Sequence, residues 1–386
     1  MNVKKGPLAG IRVLEIAGIG PGPFACMWLA DMGADVVVIE RPRQPGVEDP
    51  LDLGKNNILN RGKRSLCVDL KHPDAAELLL KLVAQSDVLV EGMRPGVMEK
   101  LGLGPEVCLS RQPQLIYGRM TGWGQSGPLA QTAGHDINYI ALSGALWYAS
   151  PAGELPVAPP TLLGDMGGGA LYLALGILAA LLSVKAGGAG QVVDAAIVDG
   201  SAHLMNLLLS FHAAGWMPME RGAGLLDGPY WYGSYRCADG KDVTIGALEP
   251  KFYRLLLEKL GLENDPLFVR DLDPASWPAA RARLAEYFAT RPQADWCALL
   301  EGGDACFAPL LNPAEAAQHP HLVERAVYQV RDDLLQAAPA PRFSGFPASV
   351  AAVPRPGQDW QQILAESGLT AGALEKALQS GLVAAP

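Results

Sequence analysis

The sequence predicts an α/β protein with a large domain built on a parallel sheet and a smaller α+β domain. Strand-like and helix-like runs alternate through the first 200 residues, and near residue 225 this alternation gives way to a hairpin signal and further helices. The length of 386 residues is enough for two to three domains, and a composition of 49% apolar and 18% charged residues is typical of a folded chain with a large core.

The spacing of apolar residues places the elements of the large domain. Strands are predicted at 11–16, 35–40, 87–90, 114–117 and 191–198, and helices at 24–32, near 78–83 and after Gly169. The glycines and prolines of GIGPGP (18–23) predict the turn between the first strand and the first helix. Strands that alternate with helices pair in parallel, so we expect helices on both faces of the sheet.

The smaller domain is predicted from a hairpin and the helices that follow it. Asp239-Gly240 separates strand-like runs at 235–238 and 242–246, which is a hairpin signal. Helices are predicted at 251–260, 279–289 and 296–301 and, in the C-terminal tail, at 360–366 and 371–380. The predicted layout is a large domain of 1–200 completed by about 325–386, a linker of 201–224, a small domain of 225–310 and a return linker of 311–324.

Charge and cysteine usage exclude several classes of protein. The chain carries 31 basic and 40 acidic residues, a net charge of −9, so we expect no nucleic-acid partner. The six cysteines are scattered without a C-x-x-C pair, which is typical of a reduced cytoplasmic protein and predicts neither a disulfide scaffold nor a metal site. The N-terminal residues also lack the apolar stretch of a secretory signal.

One uncharged run, at 166–184, has the length of a candidate membrane span. Glycines near its start, Asp165 before it and Lys185 after it favour a buried core helix instead. We therefore expect no insertion into a membrane.

The turn after the first strand has part of a dinucleotide-binding fingerprint. A GxGxG pattern (18–22) lies between a strand and a helix, and Glu40 ends the second strand, where a ribose-binding carboxylate would lie. The third glycine comes one residue early, and Pro21 and Pro23 remove amide donors from the loop. A tight turn is therefore the favoured interpretation, with bound NAD(P) as the alternative.

Basic residues gather after the predicted strands, where an open parallel sheet binds its ligands. Such a cluster in a net-acidic chain favours a compact polyanion, for example a nucleotide with several phosphates, because guanidinium and ammonium groups bind phosphate. Ordinary solvated surface charges are the alternative, since the spacing does not distinguish the two. The residues are Arg41, Arg43, Arg61, Lys63, Arg64, Lys71 and Arg94.

Two motifs carry groups suited to proton transfer. His135 lies in AGHDINY (133–139), and Asp165 enters the glycine run GDMGGG (164–169). Histidine readily exchanges protons near neutral pH, and a glycine-rich loop beside a carboxylate lets a substrate approach the backbone closely. The alternatives are a structural histidine and an aspartate that caps the following helix.

Further motifs follow one another in order along the chain. They are EGMRPG (91–96), GRMTGWGQSGP (118–128), GHDINY (134–139), GDMGGG (164–169), GQVVDAAIVDG (190–200) and CFAPLLNPAEAAQHPHLVER (306–325). Together they resemble the α-methylacyl-CoA racemases, a branch of the family III CoA-transferase superfamily. The resemblance extends from the N-terminal strand to about residue 345, and the last forty residues carry little of it.

The resemblance implies an isomerase that inverts the α-carbon of 2-methylacyl-CoA thioesters. It implies a large Rossmann-like domain, a small α+β domain and an interlocked homodimer with the active site between subunits. By motif, His135 and Asp165 match two catalytic bases, and Glu249 matches a glutamate that pairs with the histidine. The positions that match substrate-binding and CoA-binding segments are Arg41, Val68, Asp69, Leu70, Lys71, Arg94, Gly134, Asp136, Ile137, Asn138 and Tyr139. No metal or redox cofactor is implied, since coenzyme A is part of the substrate.

These residue types suit the implied reaction. Removal of a thioester α-proton needs a base close to the carbon and stabilisation of the enolate oxygen, and inversion needs a second base on the opposite face. His135 and Asp165 would serve the two faces. Backbone N–H groups at the helix start near Asp136 are the candidate donors to the enolate oxygen. Glu249 would orient the imidazole and favour its charged form.

Two other functions are compatible with parts of this pattern. CoA-transferases of the superfamily use an aspartate at the Asp165 position as a nucleophile, but they generally lack the histidine at the His135 position. A non-catalytic acyl-CoA-binding module would need neither residue. The racemase is favoured because both are present, although the sequence does not define the acyl chain, for which branched fatty acids, sterol side chains and bile-acid intermediates are candidates.

Overall fold

The computed structural model describes residues 5–42, 53–269 and 272–386. The chain divides into two compact units. The first consists of Met1–Ser143, Pro159–Leu204 and Ala326–Pro386, and the second of Gly144–Ala158 and Met205–Arg325.

The described ranges contain twelve strands and fifteen α-helices. The strands are β1 (Arg12–Ile16), β2 (Asp35–Glu40), β3 (Arg64–Val68), β4 (Val88–Glu91), β5 (Ile116–Thr121), β6 (Gln191–Ala196), β7 (Tyr232–Arg236), β8 (Asp242–Gly246), β9 (Phe307–Leu310), β10 (Tyr328–Arg331), β11 (Leu334–Ala337) and β12 (Val383–Ala384). The helices are α1 (Pro21–Asp31), α2 (Ala75–Val83), α3 (Val97–Lys100), α4 (Pro105–Arg111), α5 (Asp136–Leu142), α6 (Leu171–Lys185), α7 (Ile197–Leu204), α8 (Asn206–Ala213), α9 (Pro250–Leu260), α10 (Trp277–Phe288), α11 (Gln293–Leu300), α12 (Pro313–Ala316), α13 (Pro320–Glu324), α14 (Trp360–Glu366) and α15 (Ala371–Gln379). A π-helical segment, Leu162–Ala170, runs directly into α6.

Seven strands form the central sheet of the first unit, in the order β12-β3-β2-β1-β4-β5-β6. Each pairing is parallel except that of β12 with β3, so the predicted α/β fold with a mostly parallel sheet is confirmed. The chain moves outward from β1 through β2 to β3 on one side, and from β4 through β5 to β6 on the other. This reversal opens a crevice at the carboxyl ends of β1 and β4, where such sheets bind their ligands.

The sheet separates two apolar clusters. Leu14 and Ile16 of β1 belong to the cluster that α2, α4, α14 and α15 complete, whereas Val13 points into the cluster that α1 and α6 complete. Helices cover both faces, which explains why these strands are continuous apolar runs rather than alternating ones.

Several element boundaries differ from the predictions, including three in the first unit. Helix α1 begins at Pro21, inside the predicted turn, because the N–H that proline lacks is unpaired in a first helical turn anyway. Strand β5 continues to Thr121, four residues past its predicted end. The strand predicted to reach residue 198 ends at Ala196, and the chain enters α7 at Ile197.

The second unit packs a three-stranded antiparallel sheet, β7-β8-β9, with α9, α10 and α11. Trp231 is fully buried in this core and makes edge-to-face ring contacts with Tyr253 and Trp277. The predicted hairpin is present as β7 and β8, which the Asp239-Gly240 connection joins. Strand β9, which the sequence patterns did not indicate, adds to β8.

Residues 144–158 group with the second unit, whereas the predicted large domain includes them. The indole N–H of Trp147 donates to the Met219 carbonyl at 2.8 Å, and the Arg221 guanidinium donates to the Glu154 carbonyl at 2.9 Å. These hydrogen bonds join segments far apart in sequence, which no local pattern indicates.

One helix among the described residues, Leu162–Lys185, is long and apolar enough to cross a membrane. Leu173 and Ile177 are fully buried on its inner face, whereas Leu175 is 59% and Leu182 is 70% exposed. The helix therefore has a core-packed face and an open apolar face. Our expectation that it does not enter a membrane stays a prediction.

Three cations of the predicted basic cluster are paired within the fold rather than facing a ligand. They precede or begin β3, at the end of the strand opposite the ligand edge. Their carboxylate partners come from distant segments, so the interpretation of these three residues as part of a phosphate site is wrong. The pairs are Arg61 with Asp31, Lys63 with Glu15, and Arg64 with both Asp35 and Glu366.

We expect Lys63→Met to lower the free energy of unfolding by about 3 to 5 kcal/mol, because it leaves the Glu15 carboxylate buried without its cation. Urea unfolding followed by circular dichroism measures the change. Lys81→Met, at an exposed position of α2, is the matched control and should change the free energy by less than about 0.5 kcal/mol. Equal effects of the two substitutions would contradict the structural role of the pair.

Candidate active site

The turn after β1 lies at the point where the strand order reverses. Gly20 in this turn has a φ of 73°, a conformation that glycine adopts without strain. A Cβ atom added to Gly20 would lie 3.6 Å from Oδ2 of Asp165. The Asp165 carboxylate therefore faces the crevice edge that the sheet topology defines.

His135 immediately precedes α5, and its side chain is exposed. Its backbone N–H donates to Oδ1 of Asn138 at 3.1 Å, and this contact stabilises the start of the helix. Ile137 lies in the same first turn and is 54% exposed. The predicted residues of GHDINY thus present an imidazole and an apolar side chain to solvent in the first unit.

Asp165 lies in the π-helical segment and not in the glycine-rich loop that the sequence predicted. Short π-helical segments occur frequently at functional sites. The pKa of Asp165 is raised to about 6, mainly by burial and further by the charge of Asp136, whereas the charge of His135 lowers it. The imidazole and the carboxyl group are therefore within electrostatic reach of each other.

The glycines after Asp165 are filled by protein rather than left open to a substrate. A Cβ atom on Gly168 would lie 2.7 Å from the Ser201 backbone nitrogen, and one on Gly200 would overlap the Gly168 carbonyl oxygen. Helix α7 therefore packs backbone to backbone against the π-helical segment. The prediction that the glycine run admits substrate is wrong at Gly168, where the absence of a side chain permits helix packing.

Tyr139 supports the segment that carries His135. Its ring is 8% exposed, packs edge-to-face on Trp123, and lies where a side chain at Gly122 would be. Its hydroxyl donates to the Gly134 carbonyl, one residue before His135. The predicted contact of Tyr139 with substrate stays a prediction, and the observed contacts place it in the support of the loop.

Three predicted CoA-binding cations follow successive parallel strands at the ligand edge. Arg41 follows β2, Lys71 follows β3 and Arg94 follows β4, and all three are exposed. Burial raises the pKa of Tyr139, and the charge of Arg94 lowers it, which places Arg94 near GHDINY. These cations leave a positive edge available to an anionic ligand. Arg43 lies outside the described residues.

The other predicted CoA-binding residues of the VDLK run are partly structural. Val68 is fully buried at the end of β3, and Leu70 packs on the same apolar cluster. Oδ1 of Asp69 accepts a hydrogen bond from the Lys71 backbone N–H at 3.0 Å. This turn lies at the ligand edge of the sheet. Because Val68 and Leu70 pack into the core, only the exposed atoms of the turn are available to contact CoA.

Glu40, the candidate ribose-binding residue, is engaged within the fold. Its carboxylate accepts hydrogen bonds from the Ser65 hydroxyl and from Nδ2 of Asn60, the latter at 3.4 Å. This pairing disfavours the NAD(P) alternative. Among the residues that the structure describes, no group of three or more His, Cys, Asp or Glu side chains is placed to hold a metal ion.

Glu249 precedes α9 in the second unit and is exposed. Burial raises the pKa of the Cys306 thiol, and the charge of Glu249 raises it further, so these two groups are near each other. The predicted pairing of Glu249 with His135 stays a prediction.

The sequence patterns missed the role of the Asp136 side chain. Its carboxylate is buried and accepts a hydrogen bond from the Asp165 backbone N–H at 2.8 Å. The acidic residue directly after His135 was the available signal. It does not by itself indicate this role, because a carboxylate in a first helical turn is common for other reasons.

The model of CoA-transferase family III matches residues 8–360, and the chain belongs to that family. The α-methylacyl-CoA racemases of Mus musculus and Homo sapiens are each 43% identical to it over 368 residues, which is 94% of this chain and 94% of each relative. The predicted resemblance to this branch is confirmed, and with it the prediction that the chain is an enzyme. A crystal structure of a CaiB/BaiF family protein from Brucella suis is similar with a TM-score of 0.78 at 27% identity, covering 94% of this chain and 99% of that one.

We expect Gly200→Ala to destabilise the first unit by about 3 kcal/mol or more, because the new methyl group would overlap the Gly168 carbonyl oxygen. Chemical denaturation measures the effect. Gly372→Ala is the control: nothing lies within 4 Å of its added Cβ in α15, and alanine should stabilise that helix by up to about 1 kcal/mol. An unchanged stability of Gly200→Ala would contradict the close packing of α7 on the segment that carries Asp165.

Proposed function

We propose that this protein inverts the α-carbon of 2-methylacyl-CoA thioesters by transferring protons between that carbon, His135 and Asp165. The observation that carries the proposal is that the two base-bearing segments are joined: Asp136, the residue after His135, accepts a hydrogen bond from the Asp165 backbone N–H at 2.8 Å. Racemase relatives that are 43% identical over almost the whole chain support the same reaction.

The properties of Asp165 suit a group that both gives and takes a proton. An ordinary aspartate is ionised near neutral pH and is a poor acid there. With a pKa of about 6, Asp165 is protonated often enough to donate and ionised often enough to accept. His135 would take the α-proton from one enantiomer while Asp165 delivers a proton to the other face, and the roles would exchange for the reverse reaction.

The enolate oxygen requires donors during the same step. We assign this role to backbone N–H groups in the first turn of α5, beside His135, where the positive end of the helix also favours negative charge. The thioester carbonyl would then lie over GHDINY with its α-carbon between the two bases. Ile137 would contact the acyl part, because it is the exposed apolar side chain of that turn.

The nucleotide part of CoA would lie along the edge that carries Arg41, Lys71 and Arg94. The guanidinium group of arginine donates paired hydrogen bonds to phosphate oxygens, and the ammonium group of lysine adds a positive point charge. We further propose a cytoplasmic homodimer in which Glu249 approaches the imidazole of His135 and favours its charged form. The proposed reaction uses no metal or redox cofactor, since a proton is the group transferred.

A family III CoA-transferase is the second candidate, because the family as a whole includes that chemistry. Asp165 would then attack the thioester as an ionised nucleophile. A raised pKa reduces the ionised fraction, which disfavours that role, and the transferase mechanism assigns nothing to His135. These two features favour the racemase.

The decisive experiment is incubation of each enantiomer of a 2-methylacyl-CoA with the protein in D₂O without an acceptor acid. We expect deuterium at the α-carbon together with loss of optical purity. CoA transfer to an added acid, without exchange in its absence, would instead establish the transferase. Neither activity would leave only an acyl-CoA-binding role.

The two-base arrangement predicts a mirror-image pattern in two variants. His135→Ala and Asp165→Ala should each slow racemisation by at least about 100-fold, because each removes one of the two proton carriers. Each variant should still exchange the α-proton of one enantiomer with retention of configuration, and the preferred enantiomer should differ between them. The control is His203→Ala, which replaces an exposed histidine that is hydrogen-bonded to Tyr172. This variant should racemise both enantiomers at the rate of the unmodified protein. Exchange of the same enantiomer by both variants would contradict the assignment.

A further inference from the structure

The Asp136 carboxylate connects the two segments that carry the proposed bases. Asp136 is the first residue of α5, directly after His135, and is 8% exposed. Its Oδ1 accepts the hydrogen bond of the Asp165 backbone N–H at 2.8 Å. A hydrogen bond from a neutral donor to a buried charged acceptor is stronger than one between neutral groups. The connection is therefore short, buried and charge-assisted.

Gly164 allows the carboxylate to come this close. A Cβ atom on Gly164 would overlap Oδ1 of Asp136 and would lie 2.8 Å from Cγ2 of Ile140. The backbone of Gly164 is not in the left-handed region, so its conformation would suit an alanine. Glycine is therefore needed at position 164 because a side chain there would occupy the space of the Asp136 carboxylate, and not because of its backbone conformation.

We propose that Asp136 is a positioning residue, whose buried carboxylate fixes the Asp165 backbone relative to the start of α5 so that Asp165 and His135 are held in one arrangement. This inference rests on the proposed function, because it explains how two bases on separate segments keep a constant separation. Asp136 itself need not touch the reacting carbon through its side chain, since that side chain is occupied by Asp165.

The charge of Asp136 has a second consequence. It opposes ionisation of Asp165 and so helps to keep the pKa of that carboxyl group near 6, after the larger effect of burial. The charge of His135 acts in the opposite direction on Asp165, and the pKa of Tyr139 is raised by burial and by the charge of Asp165. Ionisable groups on the other elements packed against the π-helical segment have their own partners or neighbours: they are Asp31 with Arg61, His203 with Tyr172, Arg119 with Glu91 and Glu99, and Asp194 with Asp199.

The test compares Asp136→Asn with Asp136→Ala in the exchange and racemisation assays. Asparagine keeps the volume and a carbonyl acceptor for the Asp165 N–H, but removes the charge. The acid limb of the kcat/KM profile should then move to lower pH by at least about 0.5 unit, because Asp165 ionises more easily without a neighbouring negative charge. Activity is lost on the acid side when both bases are protonated, because the site then has no proton acceptor. In Asp136→Asn the pKa of Asp165 is lower, so this doubly protonated form appears only at lower pH.

Alanine removes the acceptor as well as the charge. Asp136→Ala should lower kcat by at least about tenfold with a smaller change in KM, because misplacement of a base affects the proton transfer more than CoA binding. Gly164→Ala should lower kcat similarly in the wild-type chain, because it displaces the same carboxylate. It should lower kcat by a smaller factor in the Asp136→Ala background, where the overlap with the carboxylate is removed and only the contact with Cγ2 of Ile140 remains. Asp199→Asn, at an exposed position of α7, is the charge control and should leave the acid limb in place.

The outcomes separate this inference from the proposed function. Absence of α-proton exchange in the unmodified protein would refute the racemase itself. Normal exchange in the unmodified protein, with Asp136→Ala folded by circular dichroism and its kcat unchanged, would overturn the positioning role, and an unmoved acid limb in folded Asp136→Asn would overturn the effect of the Asp136 charge on Asp165. A shifted limb in Asp136→Asn, together with non-additive kcat losses for Gly164→Ala and Asp136→Ala, would support it.

Discussion

The hydrogen bond between the Asp165 amide and the Asp136 carboxylate joins segments that lie 29 residues apart and differ in helix type. One segment ends the loop from β5 and begins α5, and the other is a π-helical segment that continues into α6. Each segment alone carries only one of the two proposed bases. Together they place an imidazole and a carboxyl group within electrostatic reach at the ligand edge of a parallel sheet, which is what proton transfer at a flat carbanion requires.

Close packing within the first unit stabilises this arrangement of the two side chains. Gly168 and Gly200 let α7 pack against the π-helical segment at backbone distance, so the carboxylate of Asp165 lies on a closely packed layer. The Tyr139 hydroxyl donates a hydrogen bond to the Gly134 carbonyl, directly before His135. The two proposed bases are thus held by packing and hydrogen bonds within one unit, while the cations proposed to bind CoA are exposed on separate strand ends.

Features that depend on neighbouring residues could be predicted from the sequence, and the alternation of strands and helices correctly predicted the parallel sheet. GHDINY and GDMGGG indicated His135 and Asp165 as candidates, and the roles of these two residues stay predictions. Partners distant in sequence were not accessible to such patterns: Lys63 was taken for a ligand-facing cation because nothing near it in the chain indicates Glu15. The glycine run was misinterpreted for a related reason, since only the fold shows that α7 fills the space at Gly168.

The central claim is that one α-carbon lies between the two bases, and a crystal structure with a bound 2-methylacyl-CoA tests it most directly. The account predicts an imidazole nitrogen of His135 and a carboxylate oxygen of Asp165 on opposite faces of that carbon, each at about 3 to 3.5 Å, which is the near-attack distance for reacting atoms. A bound thioester with both side chains on the same face, or with either of them turned away from the α-carbon, would contradict it.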